Sequence, residues 1–471
     1  MMNRLLPKSS FIRDVSVLAG GTAGAQLILI LTAPLLTRLY SPEDFGLLAV
    51  YTGILSLFTV VSSLRYELAI PLPERDEDAA NVLALCLVIV LIMTGLSTMF
   101  IFIVGDLIAH VLDVPKLASY FWILPVGVFF VGIYQVFNYW AIRIKEFPLL
   151  AKTNLRQALV TAGLQIVGFK LGGVGLLLGQ VSGQGVGSIR LAKLVRRSIK
   201  LKNIKASNLR DSALRYKDFP VYSTWAGFFN SAGTQIPPLM FAALFGSGVA
   251  GLYALAHRVL AIPISVVGQA VGNVFFSGAA KAHREGVLGE LVQEVHKKLV
   301  CIIMPPTVIL IVTAPDLFSW VFGSQWREAG IIASWLSLWL FVSFSASPLS
   351  SIFSIVERQS IGLHMQAMML SFRIVGILIG VSFGGMLSTI IAFSISNVLA
   401  YFIYLVVSFS VSGASVRRMF KNYLYPTLIG VAAISVFVIL VEEDIFSTLI
   451  MIPTLFVMAG IFYFYCFKKS Y

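Results

Sequence analysis

The stretch from residue 79 to residue 105 reads AANVLALCLVIVLIMTGLSTMFIFIVG, 27 residues without a charged side chain, enclosed by Asp78 and Asp106. A helix that crosses a bilayer needs about 20 such residues, so this stretch is long enough to span with some tilt. Its apolar character is continuous, whereas a strand of an outer-membrane barrel would alternate apolar and polar residues. The stretch therefore predicts a transmembrane α-helix.

The rest of the chain repeats this pattern. Of its 471 residues, 58% are apolar and 12% are charged, against about 25% charged residues in ordinary soluble domains. Two apolar runs are too long for one helix, and they divide at the turn signals Gly246-Ser247-Gly248 and Gly384-Gly385. This composition excludes a soluble enzyme, a disordered chain and a secreted disulfide scaffold. It predicts an all-α polytopic membrane protein with about 14 transmembrane helices.

The two halves of the chain open on similar helices. Pro34 and Pro238 lie 204 residues apart, and Gly46 and Gly251 follow them with one residue of slippage. Both copies would start on the same side of the membrane, as in parallel repeats that place a substrate site between two bundles. We therefore predict two six-helix lobes around a central cavity plus two C-terminal helices. The predicted boundaries are 1–192 for the N-terminal lobe, 193–219 for a basic cytoplasmic linker, 220–410 for the C-terminal lobe and 411–471 for the additional helices.

Basic residues are distributed unequally between the two ends of the predicted helices. With the N-terminus in the cytoplasm, 29 of the 35 Lys and Arg residues fall on the inner side and four on the outer side. Cytoplasmic loops of membrane proteins carry this excess, so both termini are predicted to be cytoplasmic. The net charge of +13 then reflects topology and attraction to anionic inner-leaflet lipids. Because no loop is long enough to fold a reading domain, no nucleic-acid partner is expected.

Two arginines fall inside predicted spans. A charge at the centre of a bilayer costs about 2.5–3.5 kcal/mol even on lenient scales, so such residues mark functional sites. Arg373 lies about halfway along its helix, and we predict that it lines a wet cavity; the alternative is a structural tie to neighbouring carbonyls. Arg258 lies nearer a helix end, where snorkelling is an equal alternative. The adjacent His257 is interpreted as a packing residue rather than a proton carrier.

Uncharged polar side chains are also numerous in the spans. Tyr134 and Asn138 share one helix face at a spacing of four residues, and Arg143 continues this polar strip to the inner mouth. Amide and phenol groups suit sugar hydroxyls, and guanidinium suits phosphate. Single amides can also simply join helices. Further span amides are Gln26, Gln165, Gln180, Gln184, Asn230, Gln235, Gln269, Asn273 and Asn397. Their number indicates a polar cavity without identifying its lining.

Motifs for chemistry or cofactor binding are missing from the sequence. There is no GxSxG, HExxH or Walker A pattern. Cys86, Cys301 and Cys466 lie singly in apolar runs, where they behave as small apolar residues. The glycine-rich runs at 172–175 and 183–187 fit close helix packing rather than phosphate binding. We expect no cofactor, no metal and no enzymatic activity, so energy must come from gradients or from the substrate.

Two segments resemble a known family. The turn after the first helix reads TRLYSPEDFG (37–46), and RYELAIPLP (65–73) closes the second helix. They resemble the bacterial polysaccharide transporter family, the Wzx-type flippases of the MOP exporter superfamily. This resemblance implies translocation of undecaprenyl-pyrophosphate-linked oligosaccharide, a repeat unit of O-antigen, capsule or exopolysaccharide, from the cytoplasmic to the outer leaflet of the bacterial inner membrane. It also implies lipid-linked oligosaccharide and membrane lipids as partners, with polysaccharide polymerase machinery as a further one.

The resemblance also selects residues. Arg38, Pro42, Gly46, Arg65 and Glu67 match motif positions, where a structural role in turns competes with a substrate role. The complete set of predicted substrate contacts is Arg373, Arg258, Tyr134, Asn138, Arg143, Arg65 and Arg38. The candidates for ion coupling by proton or sodium antiport are Glu67, Asp316 and His257.

Other functions remain open at this point. A MATE-like small-molecule or cation antiporter of the same superfamily would place carboxylates in the N-terminal lobe, and none lies well inside the first six helices. A membrane glycan polymerase would carry a large outer loop with arginines, but the longest loop here is inner. A structural scaffold has no positive support in the sequence.

Overall fold

The computed structural model describes residues 8–198, 206–424 and 426–428, and within these ranges the chain is helical, without strands. This confirms the predicted all-α class. The α-helices are α1 (Lys8–Leu39), α2 (Pro42–Val61), α3 (Asp76–Val111), α4 (Pro115–Ala118), α5 (Ile123–Arg143), α6 (Phe147–Val167), α7 (Gly173–Ser198), α8 (Ala206–Arg215), α9 (Thr224–Arg284), α10 (Leu288–Phe322), α11 (Arg327–Ala346), α12 (Ile352–Ile355), α13 (Gln359–Ser382) and α14 (Met386–Val411). A further helix covers 416–424.

The described residues contain nine segments long and apolar enough to cross a membrane: Val17–Leu39, Pro42–Val61, Asp76–Val111, Ile123–Arg143, Phe219–Ala261, Leu288–Phe322, Ser324–Ile355, Ser360–Ser382 and Met386–Val411. The chain is therefore a multi-pass membrane protein. Both predicted breaks are present, because Gly246 (φ 87°) interrupts α9 and the left-handed pair Gly384-Gly385 separates α13 from α14. Most of the predicted additional pair of helices, 411–471, lies outside the described residues.

The chain forms two compact units, Met1–Ala254 and Leu255–Tyr471. In the first unit, one apolar cluster surrounds the buried Tyr51 and a second surrounds the buried Trp140. In the second unit, one cluster joins α10, α11 and α14 around the buried Phe344 and Phe409. The lobe boundaries predicted from the sequence stay a prediction.

The motif turn between α1 and α2 is fixed by hydrogen bonds. Ser41 caps α2 in a capping box with Asp44, in which the side chain of each residue accepts a hydrogen bond from the backbone N–H of the other. The Asp44 Oδ1 also accepts a hydrogen bond of 2.7 Å from the backbone N–H of Gly173 at the start of α7. The Tyr40 hydroxyl donates to the carbonyl of Gln165 at the end of α6. These contacts tie the turn to the α6–α7 connection, whereas the Arg38 side chain is exposed.

The two glycines of the sequence repeat meet within the first unit. A Cβ on Gly46 would lie 1.7 Å from the carbonyl oxygen of Ser247, and a Cβ on Gly251 would lie 1.9 Å from the carbonyl oxygen of Pro42. Only glycine allows backbones to approach this closely. The start of α2 and the part of α9 after its kink therefore cross in direct backbone contact.

Candidate functional site

A polar chamber lies inside the first unit, among α1, α5, α6 and α7. Its volume is about 410 Å³, within the range of small-molecule sites. Its polar lining residues are Thr22, Gln26, Tyr134, Gln135, Asn154, Gln157, Thr161, Gln180 and Gln184, and its remaining walls are Ala25, Leu29, Val131, Ala158 and Gly183. None of these side chains carries a formal charge. The chamber offers hydrogen bonds from amide, hydroxyl and phenol groups alone.

Glycines on α7 make room for the polar side chains of α6. A Cβ on Gly183 would lie 1.9 Å from the Thr161 hydroxyl oxygen, and a Cβ on Gly187 would lie 2.0 Å from the Gln157 amide nitrogen. The packing role predicted for the glycine run at 183–187 is thereby confirmed. The glycines on this face of α7 therefore allow α6 to lie close to it.

Some of the chamber's polar groups bind one another. The Tyr134 hydroxyl donates to Asn154 Oδ1 at 2.7 Å, and the Asn154 amide donates to the Thr22 hydroxyl at 3.2 Å. The Oε1 atoms of Gln135 and Gln184 are buried and accept no hydrogen bond. Buried polar atoms without partners are rare and costly. Because neither atom has accessible surface, both are packed into the wall of the chamber rather than open to its interior.

Only one of the two polar residues predicted to share a face of α5 lines the chamber. Tyr134 lines it, whereas Asn138 is half-buried one turn away and is not part of the lining. Arg143 serves the loop before α3, since it donates to the carbonyls of Ile70 and Pro73 and pairs with Asp76 at 2.9 Å. Its role as a substrate contact stays a prediction.

Two further arginines lie on α6 and α7 but are not among the residues that line the chamber. Arg190 on α7 has its Nη1 buried without a hydrogen-bond partner. Arg156 precedes the lining residue Gln157 on α6, and its positive charge is felt at Arg190. No ion pair of either arginine is present among the described residues.

Glu67 and Arg65 form a second polar group at the end of α2. Glu67 is 1% exposed, accepts a hydrogen bond from the Ser63 hydroxyl and lies 3.7 Å from the Arg65 guanidinium. Burial raises the pKa of Glu67, and the bonds from Ser63 and Arg65 oppose this rise. Arg65 adopts a left-handed backbone (φ 62°), and its guanidinium lies where a Cβ on Gly227 of α9 would be.

In the second unit, Arg373 is part of an aromatic cluster. Its Nε donates to Asn397 Oδ1 at 3.2 Å, and its guanidinium lies 5.7 Å from the ring centre of Trp339, within cation–π range. His257 stacks on the same Trp339 ring, with 5.6 Å between the two ring centres. The structure therefore brings Arg373 and His257 together, whereas the side chain of Arg258 is exposed.

The remaining predicted residues lie at surfaces. Asp316 pairs with Arg327 at 3.6 Å, and both side chains are about half exposed. The described residues contain no group of three His, Cys, Asp or Glu side chains that could hold a metal ion.

Sequence reasoning named Gln26, Gln180 and Gln184 without bringing them together, and it did not name Asn154 and Gln157 on α6. The signal that could have found them is the spacing of Gly179, Gly183 and Gly187, which marks one face of α7 as a contact surface. The chamber then follows from the polar residues of α6 that face this stripe.

Comparisons with known proteins fit this architecture. A family model described as "Polysaccharide biosynthesis protein" matches residues 35–331. The succinoglycan biosynthesis transport protein ExoT of Rhizobium meliloti (strain 1021) is 23% identical over 338 residues, which are 68% of this chain and 63% of ExoT. The chain thus matches less than two thirds of that relative. The lipopolysaccharide biosynthesis protein WzxC of Escherichia coli (strain K12) is 23% identical over 409 residues, 83% of this chain and 79% of WzxC.

Solved structures share the fold. The lipid II flippase MurJ in an inward closed conformation superposes with a TM-score of 0.75 and 14% identity, over 96% of this chain and 99% of that one. An inward-facing multidrug resistance MATE family transporter of the MOP superfamily gives a TM-score of 0.57 and 18% identity, over 87% and 96% of the two chains.

Proposed function

This chain belongs to the polysaccharide biosynthesis protein family, and from that premise we propose that it is a transporter of the MOP superfamily that flips a lipid-linked oligosaccharide across the bacterial inner membrane. The resemblance read from the two motif segments is confirmed by the family match. The proposed cargo is an undecaprenyl-pyrophosphate-linked repeat unit of O-antigen, capsule or exopolysaccharide. The proposed direction is from the cytoplasmic to the outer leaflet, with both termini in the cytoplasm, and the protein acts as a transporter rather than an enzyme.

One observation supports this cargo above all. The chamber of the first unit brings nine uncharged hydrogen-bonding side chains together among four helices. Such a surface suits the many hydroxyls of a sugar, which would lose their water in hydrocarbon without replacement. A cation exporter would be expected to line this space with carboxylates, and the chamber has none.

We propose alternating exposure to the two sides of the membrane as the mechanism, because a polar headgroup cannot cross hydrocarbon unaided. The chain contributes hydrogen bonds and guanidinium groups that replace hydration while the lipid tail stays in the bilayer. The membrane potential, negative inside, favours outward passage of the anionic pyrophosphate by about 2.3 kcal/mol per net charge per 100 mV. Arg373 is the proposed guanidinium of the second unit, held ready by Asn397 and Trp339.

The test is a transport assay with purified protein in vesicles. A fluorescent oligosaccharide on polyprenyl pyrophosphate is incorporated, and its exposure to an added impermeant reagent measures the rate of leaflet exchange. We expect wild-type protein to accelerate exchange and Arg373→Ala to reduce it at equal reconstitution. Arg327→Ala, which changes a half-exposed surface ion pair, is the matched control. No acceleration by the wild-type protein would refute the proposed function, and equal rates for Arg373→Ala would remove that residue from the path.

A further inference from the structure

The packing of α6 on α7 shows which of their residues lie at the same level. Three pairs of residues meet at this contact, namely Gly179 with Gln165, Gly183 with Thr161 and Gly187 with Gln157. Four residues forward along α7 thus correspond to four residues back along α6, so the two helices are antiparallel. In this register, Arg156 lies level with position 188 of α7, two residues from Arg190. Two residues correspond to about 3 Å along a helix axis, so the two arginines lie at nearly the same level.

The chamber marks one side of this helix pair. Ala158 on α6 follows a contact residue by one position, as Gln180 and Gln184 do on α7, and all three line the chamber. One position turns a helix by about 100°, so the residues one position before the contact residues share the opposite side. On α6 these residues are Arg156, Val160 and Leu164, and on α7 they are Leu178, Ser182 and Val186. Arg190 follows Val186 by about one turn, so both arginines lie on the side away from the chamber.

This side of the pair combines positive charge with apolar surface. Arg156 is exposed and Arg190 is partly exposed. Leu164, Val186 and Ile189 are exposed apolar side chains. Neither arginine forms an ion pair with a carboxylate among the residues that the structure describes. We call these five residues the basic edge of the first unit.

Helix length places the basic edge near the predicted cytoplasmic boundary of the membrane. Arg190 lies 17 residues after Gly173, where α7 begins at its predicted outer end, and this is about 26 Å along the helix axis. The hydrocarbon core is about 30 Å thick, so Arg190 lies close to its inner boundary. Long basic side chains at this depth extend their charged groups to the lipid headgroups. Val186 lies about 6 Å deeper, at the level of the acyl chains.

We propose that the basic edge binds an anionic phospholipid of the inner leaflet. The lipid phosphate accepts hydrogen bonds from guanidinium groups in the paired geometry that arginine prefers, and an acyl chain packs along Val186 and Leu164. A zwitterionic headgroup is disfavoured because the two arginines repel its ammonium group. The net charge attracts anionic lipids to the whole inner side, whereas the basic edge holds one lipid at a fixed place. This inference uses the fold and the predicted topology, and it does not rest on the proposed function.

The test is native mass spectrometry of the full chain in detergent, titrated with lipids of defined headgroup. The dissociation constant of the first bound lipid is measured for phosphatidylglycerol and for phosphatidylcholine. We expect phosphatidylglycerol to bind at least tenfold more tightly. One basic residue near an anionic headgroup contributes about fivefold in affinity, so Arg156→Gln should reduce this preference about fivefold. Arg156→Gln combined with Arg190→Gln should abolish it.

The matched control removes two exposed arginines elsewhere on the predicted cytoplasmic side. Arg284 ends α9 and Arg358 directly precedes α13, and both are exposed. Arg284→Gln combined with Arg358→Gln lowers the net charge by the same amount and should keep the lipid preference within twofold of the wild type. Melting temperatures verify the folding of each variant. Arg156→Gln alone, at an exposed position, carries the test if the double variant at the basic edge does not fold.

Three outcomes would overturn the inference. The first is equal affinity of the wild type for the two phospholipids. The second is an equal loss of preference in the control, which would assign the effect to overall charge rather than to the basic edge. The third is displacement of phosphatidylglycerol by an equimolar polyprenyl pyrophosphate, which would assign the surface to the cargo.

The result is independent of transport. Lipid preference that follows the expected pattern, without exchange in the vesicle assay, would support the basic edge and refute the proposed function. Exchange by a protein without any lipid preference would refute the basic edge alone.

Discussion

Replacing Gly46 by alanine should destabilise the first unit strongly. The added Cβ would lie 1.7 Å from the Ser247 carbonyl oxygen, whereas Cβ contacts under 3.0 Å are essentially never found, so the two backbones must separate by about 1.3 Å. Neither atom belongs to a flexible side chain that could turn away. Overpacking of this kind costs about 1–3 kcal/mol, and a backbone-to-backbone clash belongs at the upper end.

The assay is thermal unfolding of the purified protein in detergent, followed by fluorescence. Gly251→Ala should have a similar effect, because its Cβ would meet the Pro42 carbonyl at 1.9 Å in the same crossing. One separation of the backbones relieves both clashes, so the double variant should be less destabilised than the two single losses combined. Gly95→Ala in α3 is the control. Its Cβ meets nothing within 4 Å, and alanine favours a helix over glycine by up to about 1 kcal/mol.

The reasoning is refuted if Gly46→Ala melts at the wild-type temperature while Gly95→Ala behaves as expected. It is also refuted if the effects of Gly46→Ala and Gly251→Ala are fully additive, since that result would place the two glycines in separate contacts.

Three further predictions follow from polar contacts. Arg143→Ala should lower the free energy of unfolding by about 2 kcal/mol in chemical unfolding, because two loop carbonyls lose a charged donor. Asp76→Ala should lower it by less than about 1 kcal/mol, since the Asp76 carboxylate is exposed. Equal losses for the two variants would contradict this prediction. Because burial raises the pKa of Glu67, its folded state gains stability as pH falls from the folded pKa towards the ordinary glutamate value and loses it as pH rises. The melting temperature of the wild type relative to Glu67→Gln should therefore be higher at pH 5 than at pH 8, and a constant difference would count against it. Arg373→Lys should retain less than half of the transport rate, because an ammonium group cannot both stack on Trp339 and hold the fork geometry of guanidinium; full transport by the lysine variant would show that charge alone suffices.

The membrane-spanning architecture could be predicted from the sequence because lipid imposes one simple requirement. Every span must be apolar over about 20 residues, so charges and glycine pairs mark its ends. The breaks at Gly246 and at Gly384-Gly385 were therefore found at the right residues.

The site was less predictable because it depends on which helix faces meet. Tyr134 and Asn138 lie on one face of α5, yet only Tyr134 reaches the chamber. The partner of Tyr134 is Asn154, twenty residues further along the chain and on another helix. Arg143 looked like the end of a polar strip, and its contacts with Ile70 and Pro73 depend on a loop whose path no periodicity describes.

The amide lining has a consequence for how the protein tolerates acid. Glutamine, asparagine, threonine and tyrosine side chains do not change protonation between mild acid and neutrality, so the chamber described for the first unit keeps the same hydrogen-bonding pattern when the cytoplasm acidifies. The affinity of the chamber for a neutral sugar should then not change on acidification. Any slowing of export in acidified cells should then originate in titratable groups outside the chamber, such as the buried carboxylate of Glu67.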